Sequence, residues 1–250
     1  MSLIEINHVT RRFGGLMAVD DVTTRVESGE LVGVIGPNGA GKTTLFNLIS
    51  GFTALSSGSV RFKGEVITGL KPHKIAARGL SRTFQNLRIF PNMSVFDNVS
   101  VGAVGAMGQT ALGAVFGGAR QADAISARTW EALERVGLTR EAQDLAANLS
   151  YGKRKYLEIA RALAMKPDLL ILDEPAAGLN DSETADLARF ITALNACGMA
   201  IMLVEHDMNL VMGICTRVVV LASGRKIADA APNVVKADPL VLEAYLGVED

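Results

Sequence analysis

Nine consecutive residues, Gly36-Pro37-Asn38-Gly39-Ala40-Gly41-Lys42-Thr43-Thr44, carry the G-x-x-x-x-G-K-[ST] spacing of a phosphate-binding loop. Each residue type has a chemical reason. Gly36, Gly39 and Gly41 let backbone N–H groups close around phosphate oxygens, where a Cβ would clash. A helix start directly after the loop adds unpaired donors and a partial positive charge. Lys42 can reach the β- and γ-phosphates of a nucleoside triphosphate, and the Thr43 hydroxyl can ligate Mg²⁺. Two acids and an imidazole extend the set. Asp173 and Glu174 end an aliphatic run. An Asp there holds the Mg²⁺ shell, and the neighbouring Glu, on the other side of the strand, can orient or deprotonate the attacking water. His206 ends a further run, a position suited to a titratable group beside a nucleotide. Ser150, followed by Gly152, caps a helix start that offers a second anion site.

These side chains need elements to hold them. Leu31-Val32-Gly33-Val34-Ile35 reads as a buried strand, and Leu45-Phe46-Asn47-Leu48-Ile49 as the helix after the loop. Leu169-Leu170-Ile171-Leu172 describes a strand buried on both faces, and residues 200–204 another. Shorter strands are expected at 4–8, 22–26, 59–62, 80–84, 218–221 and 226–228, with 10–15 a turn that exposes Phe13. Phe13 itself reads equally as a core residue or as an exposed ring. Helices are expected at 72–78, 154–164, 182–195 and 239–246. Between 86 and 147 strand signals are sparse, alanine and glycine dominate, and Trp130, Leu133 and Val136 keep helical spacing. That stretch reads as a helical insertion.

Composition narrows the class. The chain has 250 residues, 49% of them hydrophobic and 20% charged, ordinary for a globular protein with a full core. A net charge of −1 gives no support for a nucleic-acid partner. Cys197 and Cys215 have no metal-ligand spacing and read as two buried free thiols of a cytosolic chain. Met1-Ser2-Leu3-Ile4-Glu5 has neither a basic nor an apolar signal region. Residues 99–119 lack charge and are long enough to span a bilayer. Gly102, Gly105, Gly108, Gly113, Gly117 and Gly118 weaken that reading and favour a flexible connection or loosely packed helices.

The ensemble resembles the ATP-binding subunits of ABC transporters over nearly the whole chain, with the motifs in the family's order. The resemblance implies an α/β fold: a phosphate-loop NTPase core with a mixed sheet, an N-terminal antiparallel β subdomain and an inserted α-helical subdomain. Its parts fall at 1–85 and 148–231 for the RecA-like core with the antiparallel sheet, 86–147 for the helical subdomain and 232–250 for a helical tail. Phe13 would stack on adenine, and Gln85 would join core to helical subdomain and approach Mg²⁺. Leu149-Ser150-Tyr151-Gly152-Lys153 matches the signature that acts on the partner subunit's ATP, and His206 the switch histidine. Residues 176–181 match the loop that communicates between subunits. Two positions depart from the pattern: Tyr151 and Lys153 replace Gly and Gln of L-S-G-G-Q, and Asn180 follows Leu179 where Asp is usual.

Arg82-Thr83-Phe84-Gln85, Leu149-Ser150-Tyr151-Gly152, Ala176-Ala177-Gly178-Leu179-Asn180 and Ala244-Tyr245-Leu246-Gly247 are similar to ATPase subunits of branched-chain amino acid importers. Relatives serving urea or envelope lipid export are built much alike. The resemblance implies ATP and Mg²⁺ as ligands, a second ATPase subunit (identical or paralogous), permease subunits, an indirect periplasmic binding protein and a peripheral place on the inner membrane face. A GTPase would carry N-K-x-D and D-x-x-G motifs, which are absent. A DNA-repair ATPase of this superfamily would place a coiled coil between Thr43 and Ser150, and no heptads occur there. A soluble translation factor usually holds two copies of this core, and here there is one. Ile89 and Phe90, beside Gln85, are expected to pack inside the helical subdomain or to form a groove for a permease helix.

Overall fold

The computed structural model describes residues 2–106 and 118–246. They form two compact units, one of Met1–Ile75 with Ile171–Asp250 and one of Ala76–Leu170.

In the first unit, β1 (Ser2–Phe13) and β2 (Leu16–Glu27) make a long antiparallel hairpin. β1 also pairs with β4 (Ser57–Phe62), which turns at Lys63 and Gly64 into the short β5 (Glu65–Val66). Both hairpin strands outrun the lengths expected from alternation, and 10–13 continue β1 rather than turning. Left-handed backbone at His8 and Asp21, with register shifts nearby, breaks the period-2 pattern that marks a strand. Side chains close the gaps: His8 N–H donates to Thr23 Oγ1 and Asp21 N–H to Thr10 Oγ1.

A second sheet runs β10-β9-β3-β8-β7 through this unit. Its members are β3 (Leu31–Ile35), β7 (Leu169–Asp173), β8 (Ala200–Val204), β9 (Arg217–Ala222) and β10 (Arg225–Ala230). β3 lies parallel to both β8 and β9, while β10 returns antiparallel, so the sheet is mixed. β3, β7 and β8 are buried at every residue, which is why they read as aliphatic runs. Around them lie α1 (Lys42–Ile49), α2 (Pro72–Ala76), α6 (Asp181–Ala196), α7 (Met208–Ile214), α8 (Pro232–Ala237) and α9 (Pro239–Leu246). Gly33 of β3 admits α7 closely, since a Cβ there would sit 2.5 Å from Val211. Arg217 binds the two sheets together through Glu30 (2.6 Å), Asp229 (2.6 Å) and the Arg25 carbonyl. The hydrogen bond to Glu30, then those to Asp229, hold its guanidinium above the ordinary range despite burial.

The second unit holds β6 (Leu80–Arg82), α3 (Val95–Ala106), α4 (Gly118–Arg135) and α5 (Tyr151–Leu163). Ser94 caps α3 by accepting from Asp97 N–H. Gly102 lets α3 approach α5, because a Cβ there would meet the Arg161 carbonyl at 2.1 Å. Fully buried Asn98 accepts from Phe90 N–H and donates to the Phe90 and Ser94 carbonyls, pinning the segment before α3. Of the charge-free stretch, residues 99–106 belong to α3 and 118–119 to α4, while 107–117 lie outside the described residues. No described helix is long and apolar enough to cross a membrane. Cys215 is buried as expected, but Cys197 is exposed, because it caps the surface end of α6.

Candidate nucleotide-binding and hydrolytic site

The loop of residues 36–41 leaves β3 at its carboxyl end and enters α1 at Lys42. Gly41 is the N-cap of α1, with no side-chain cap and no acid in the first turn, so the helix start keeps its partial positive charge. The glycines have a further reason than the one read from the sequence. A Cβ on Gly36 would sit 2.1 Å from the Leu221 carbonyl oxygen, and one on Gly41 would sit 2.3 Å from that of Ala18. Close seating on β9 and β2 therefore demands glycine before any phosphate arrives. The turn between β9 and β10 seals the same wall, with Gly224 N–H donating to the Ala40 carbonyl. Gly36→Ala should cost about 2 kcal/mol through overpacking. Urea denaturation checks this, and an unchanged midpoint would remove the steric argument.

Lys42 is only 6% exposed. Its ammonium donates to the Gly36 carbonyl at 2.6 Å and the Pro37 carbonyl at 3.1 Å. Two of three donors are thus held by the loop, and the charge is fixed within it. Burial pulls the Lys42 pKa below its ordinary value, opposed by attraction to Glu174 and then Asp173. All three groups therefore share one electrostatic site. Asp173 and Glu174 are 2% and 8% exposed. Glu174 N–H donates to the Val204 carbonyl at 2.9 Å, which joins the ends of β7 and β8 at one edge of the sheet. There His206 Nε2 lies 2.9 Å from Glu174 Oε1. With its proton on Nε2 the imidazole donates to the carboxylate oxygen.

Among the described residues no group of three or more His, Cys, Asp or Glu could cage a metal alone. Mg²⁺ asks for less, one or two protein oxygens completed by water and phosphate, and the carboxylate of Asp173 with the hydroxyl of Thr43 is a donor set of that kind. The residues fit both a triphosphate and the cation.

Phe13 ends β1 with its ring 45% exposed, so it is no core residue, and the Arg11 guanidinium lies 4.4 Å from the ring centroid. Gln85, Phe90 and the signature residues lie in the second unit. Gln85 follows β6 and is exposed. Ser150 is the N-cap of α5, accepting from Lys153 N–H at 3.4 Å, and it too is exposed. The departures from the signature have local partners: Lys153 Nζ pairs with Glu141, and Lys155 lies over the Tyr151 ring. Asn180 is the N-cap of α6 in a capping box with Glu183, a role Asn fills as well as Asp. Phe90 is 45% exposed, with Arg161 of α5 5.5 Å from its ring centroid. One residue at this edge was not picked out by its type or spacing. Glu205, between β8 and His206, is 4% exposed and makes two hydrogen bonds to backbone. Its only sequence signal was an acid between a buried strand and a site histidine.

A phosphate-binding loop at the carboxyl edge of a buried sheet, facing two acids and a histidine, defines a P-loop ATPase. Residues 19–177 match the family described as ABC transporter, and residues 225–250 match that described as branched-chain amino acid ATP-binding cassette transporter. The chain is 43% identical, over 98% of both proteins, to the high-affinity branched-chain amino acid transport ATP-binding protein BraF of Pseudomonas aeruginosa. It is 42% identical to LivG of Escherichia coli, which bears the same description, again over 98% of both. Among solved structures, the ADP conformation of MJ1267, an ATP-binding cassette of an ABC transporter, superposes with a TM-score of 0.87 at 30% identity over 99% of each chain. The chain belongs to the ABC transporter family, as one of its ATP-hydrolysing subunits.

Proposed function

We propose that this chain binds Mg²⁺-ATP and hydrolyses it to drive import of branched-chain amino acids, as a peripheral subunit on the inner face of the membrane. The observation that carries the hydrolytic part is the convergence of Lys42, Asp173, Glu174 and His206 at one sheet edge. The substrate rests on the similarity to BraF and LivG and on the match at 225–250.

In this reading residues 36–44 wrap the phosphates, with Lys42 supplying the fixed counter-charge. Thr43, Asp173 and Gln85 would hold Mg²⁺, which when bound neutralises charge developing on the phosphate oxygens. Glu174 orients the attacking water and takes its proton, while His206 Nε2–H fixes that carboxylate. Phe13 stacks on the adenine. Ser150, Tyr151, Gly152 and Lys153 serve the ATP of a second ATPase subunit, because each chain offers two anion-seeking helix starts and one ATP has one γ-phosphate. The parts divide as a core with its antiparallel sheet (1–85 and 148–231), a helical subdomain (86–147) that moves a permease, and a tail (232–250). An external binding protein delivers the substrate.

The test is reconstitution in proteoliposomes with permease, binding protein and ATPase partner. ATP-driven uptake of labelled leucine, without uptake of urea, is expected. ATPase activity that responds to neither leucine nor its binding protein would refute the substrate assignment. Ser150→Arg should leave ATP affinity of the isolated chain within about threefold while hydrolysis is lost, since the bulk and charge enter only the partner's site. Equal loss of affinity in the isolated chain would place the signature in its own site.

A further inference from the structure

A buried carboxylate is costly unless its hydrogen bonds do something. Glu205 is 4% exposed beside the reacting groups, and neither phosphate binding nor proton transfer uses it. Its Oε1 accepts from Ala176 N–H at 2.7 Å, and its Oε2 accepts from His206 N–H at 3.2 Å. One side chain therefore holds the backbone of both partners of the Glu174–His206 pair. It grips Glu174 two residues downstream and His206 at its own amide.

Glu174 needs such a grip. It is a non-glycine residue with φ of 50°, in the left-handed region, where backbone persists only if its surroundings over-determine it. Bonds bracket that turn from Glu174 N–H to the Val204 carbonyl, from Ala177 N–H to the Glu174 carbonyl, and from Ala176 N–H to Glu205. The last comes from a side chain. The Pro175 that intervenes has no N–H and cannot supply another.

We propose that Glu205 is a positioning residue for hydrolysis, whose carboxylate locks the strained turn after β7 and the start of the His206 segment so that Glu174 is aimed at the attacking water. The inference rests on the assignment of Glu174 to water activation. Burial pushes the Glu205 pKa up while the Ala176 and His206 amides pull it down, and the Glu174 charge adds to the upward side.

Glu205→Gln and Glu205→Ala in the assembled transporter test it, with fluorescent-nucleotide titration beside steady-state ATPase rates. Gln keeps an oxygen for Ala176 N–H but its amide nitrogen cannot accept from His206. The expected result is ATP affinity within about threefold of wild type for both. kcat should fall about tenfold for Gln and about a hundredfold for Ala, as a misaimed catalytic group predicts. An unchanged kcat in both variants overturns the proposal, as does a loss of kcat matched by equal loss of affinity, which marks general destabilisation. If the alanine variant does not fold, the near-isosteric Gln variant decides alone by the same split. Glu174→Gln serves as the control in the same preparation. Turnover retained there would overturn the role of Glu174 itself, whereas its loss together with unaffected Glu205 variants overturns only the positioning role.

Discussion

Glu174→Gln should bind ATP as tightly as the wild type and turn over at least about a thousandfold more slowly, within the range that general-base catalysis supplies. The amide is nearly isosteric, and its oxygen can still accept from His206 Nε2, so the geometry at 2.9 Å is kept while the proton acceptor is lost. The left-handed turn at residue 174 is held by backbone bonds and by Glu205, none of which involves the Glu174 carboxylate charge. In the proposed shared site, an unhydrolysed γ-phosphate would keep bridging the loop of one subunit and the signature of the other. ATP should then trap a stable pair, visible by size-exclusion chromatography with the partner ATPase present if the two differ. Turnover within tenfold of wild type would sink the general-base role. A purely monomeric profile with bound ATP would sink the shared-site arrangement.

Lys42→Ala acts one step earlier and should abolish hydrolysis and severely weaken ATP binding. A buried ammonium held by two loop carbonyls loses little entropy when it meets phosphate, since it is already in place. Its removal leaves the acids at 173 and 174 facing the incoming phosphate charge without compensation. Loss of a buried, charge-assisted contact costs about 2–5 kcal/mol, so ATP affinity should fall at least about thirtyfold. Calorimetric titration measures it directly. Near-normal affinity would show that the helix start and backbone donors suffice, and the counter-charge role of Lys42 would have to be withdrawn.

How much of this was legible before folding differs from element to element. The phosphate loop announces itself because its chemistry is local: nine adjacent residues between an aliphatic run and a helix contain every requirement for closing on an anion. β3, β7 and β8 are equally plain, since a strand buried on both faces must be aliphatic throughout. The β1–β2 hairpin is longer than alternation in the sequence predicts. Its outer rungs pair Phe13 with Leu16 and Arg12 with Met17, and ladder bonds hold these mixed residues extended with no alternation to betray them. α7 and α8, of seven and six residues, are too short for a helical period to emerge.

The site divides along the same line. Lys42, Asp173, Glu174 and His206 are identifiable from residue type at strand ends, because a phosphate and its attacking water dictate those chemistries wherever the chain folds. Their arrangement is another matter. Glu174 and His206 are 32 residues apart, and Glu205 reaches Ala176 across 29. Nothing within either segment encodes that one buried carboxylate will hold both backbones, or that Gly36 must clear the Leu221 carbonyl. Local chemistry is written in consecutive residues. Steric fit and buried hydrogen bonds exist only between residues that the folded sheet brings side by side.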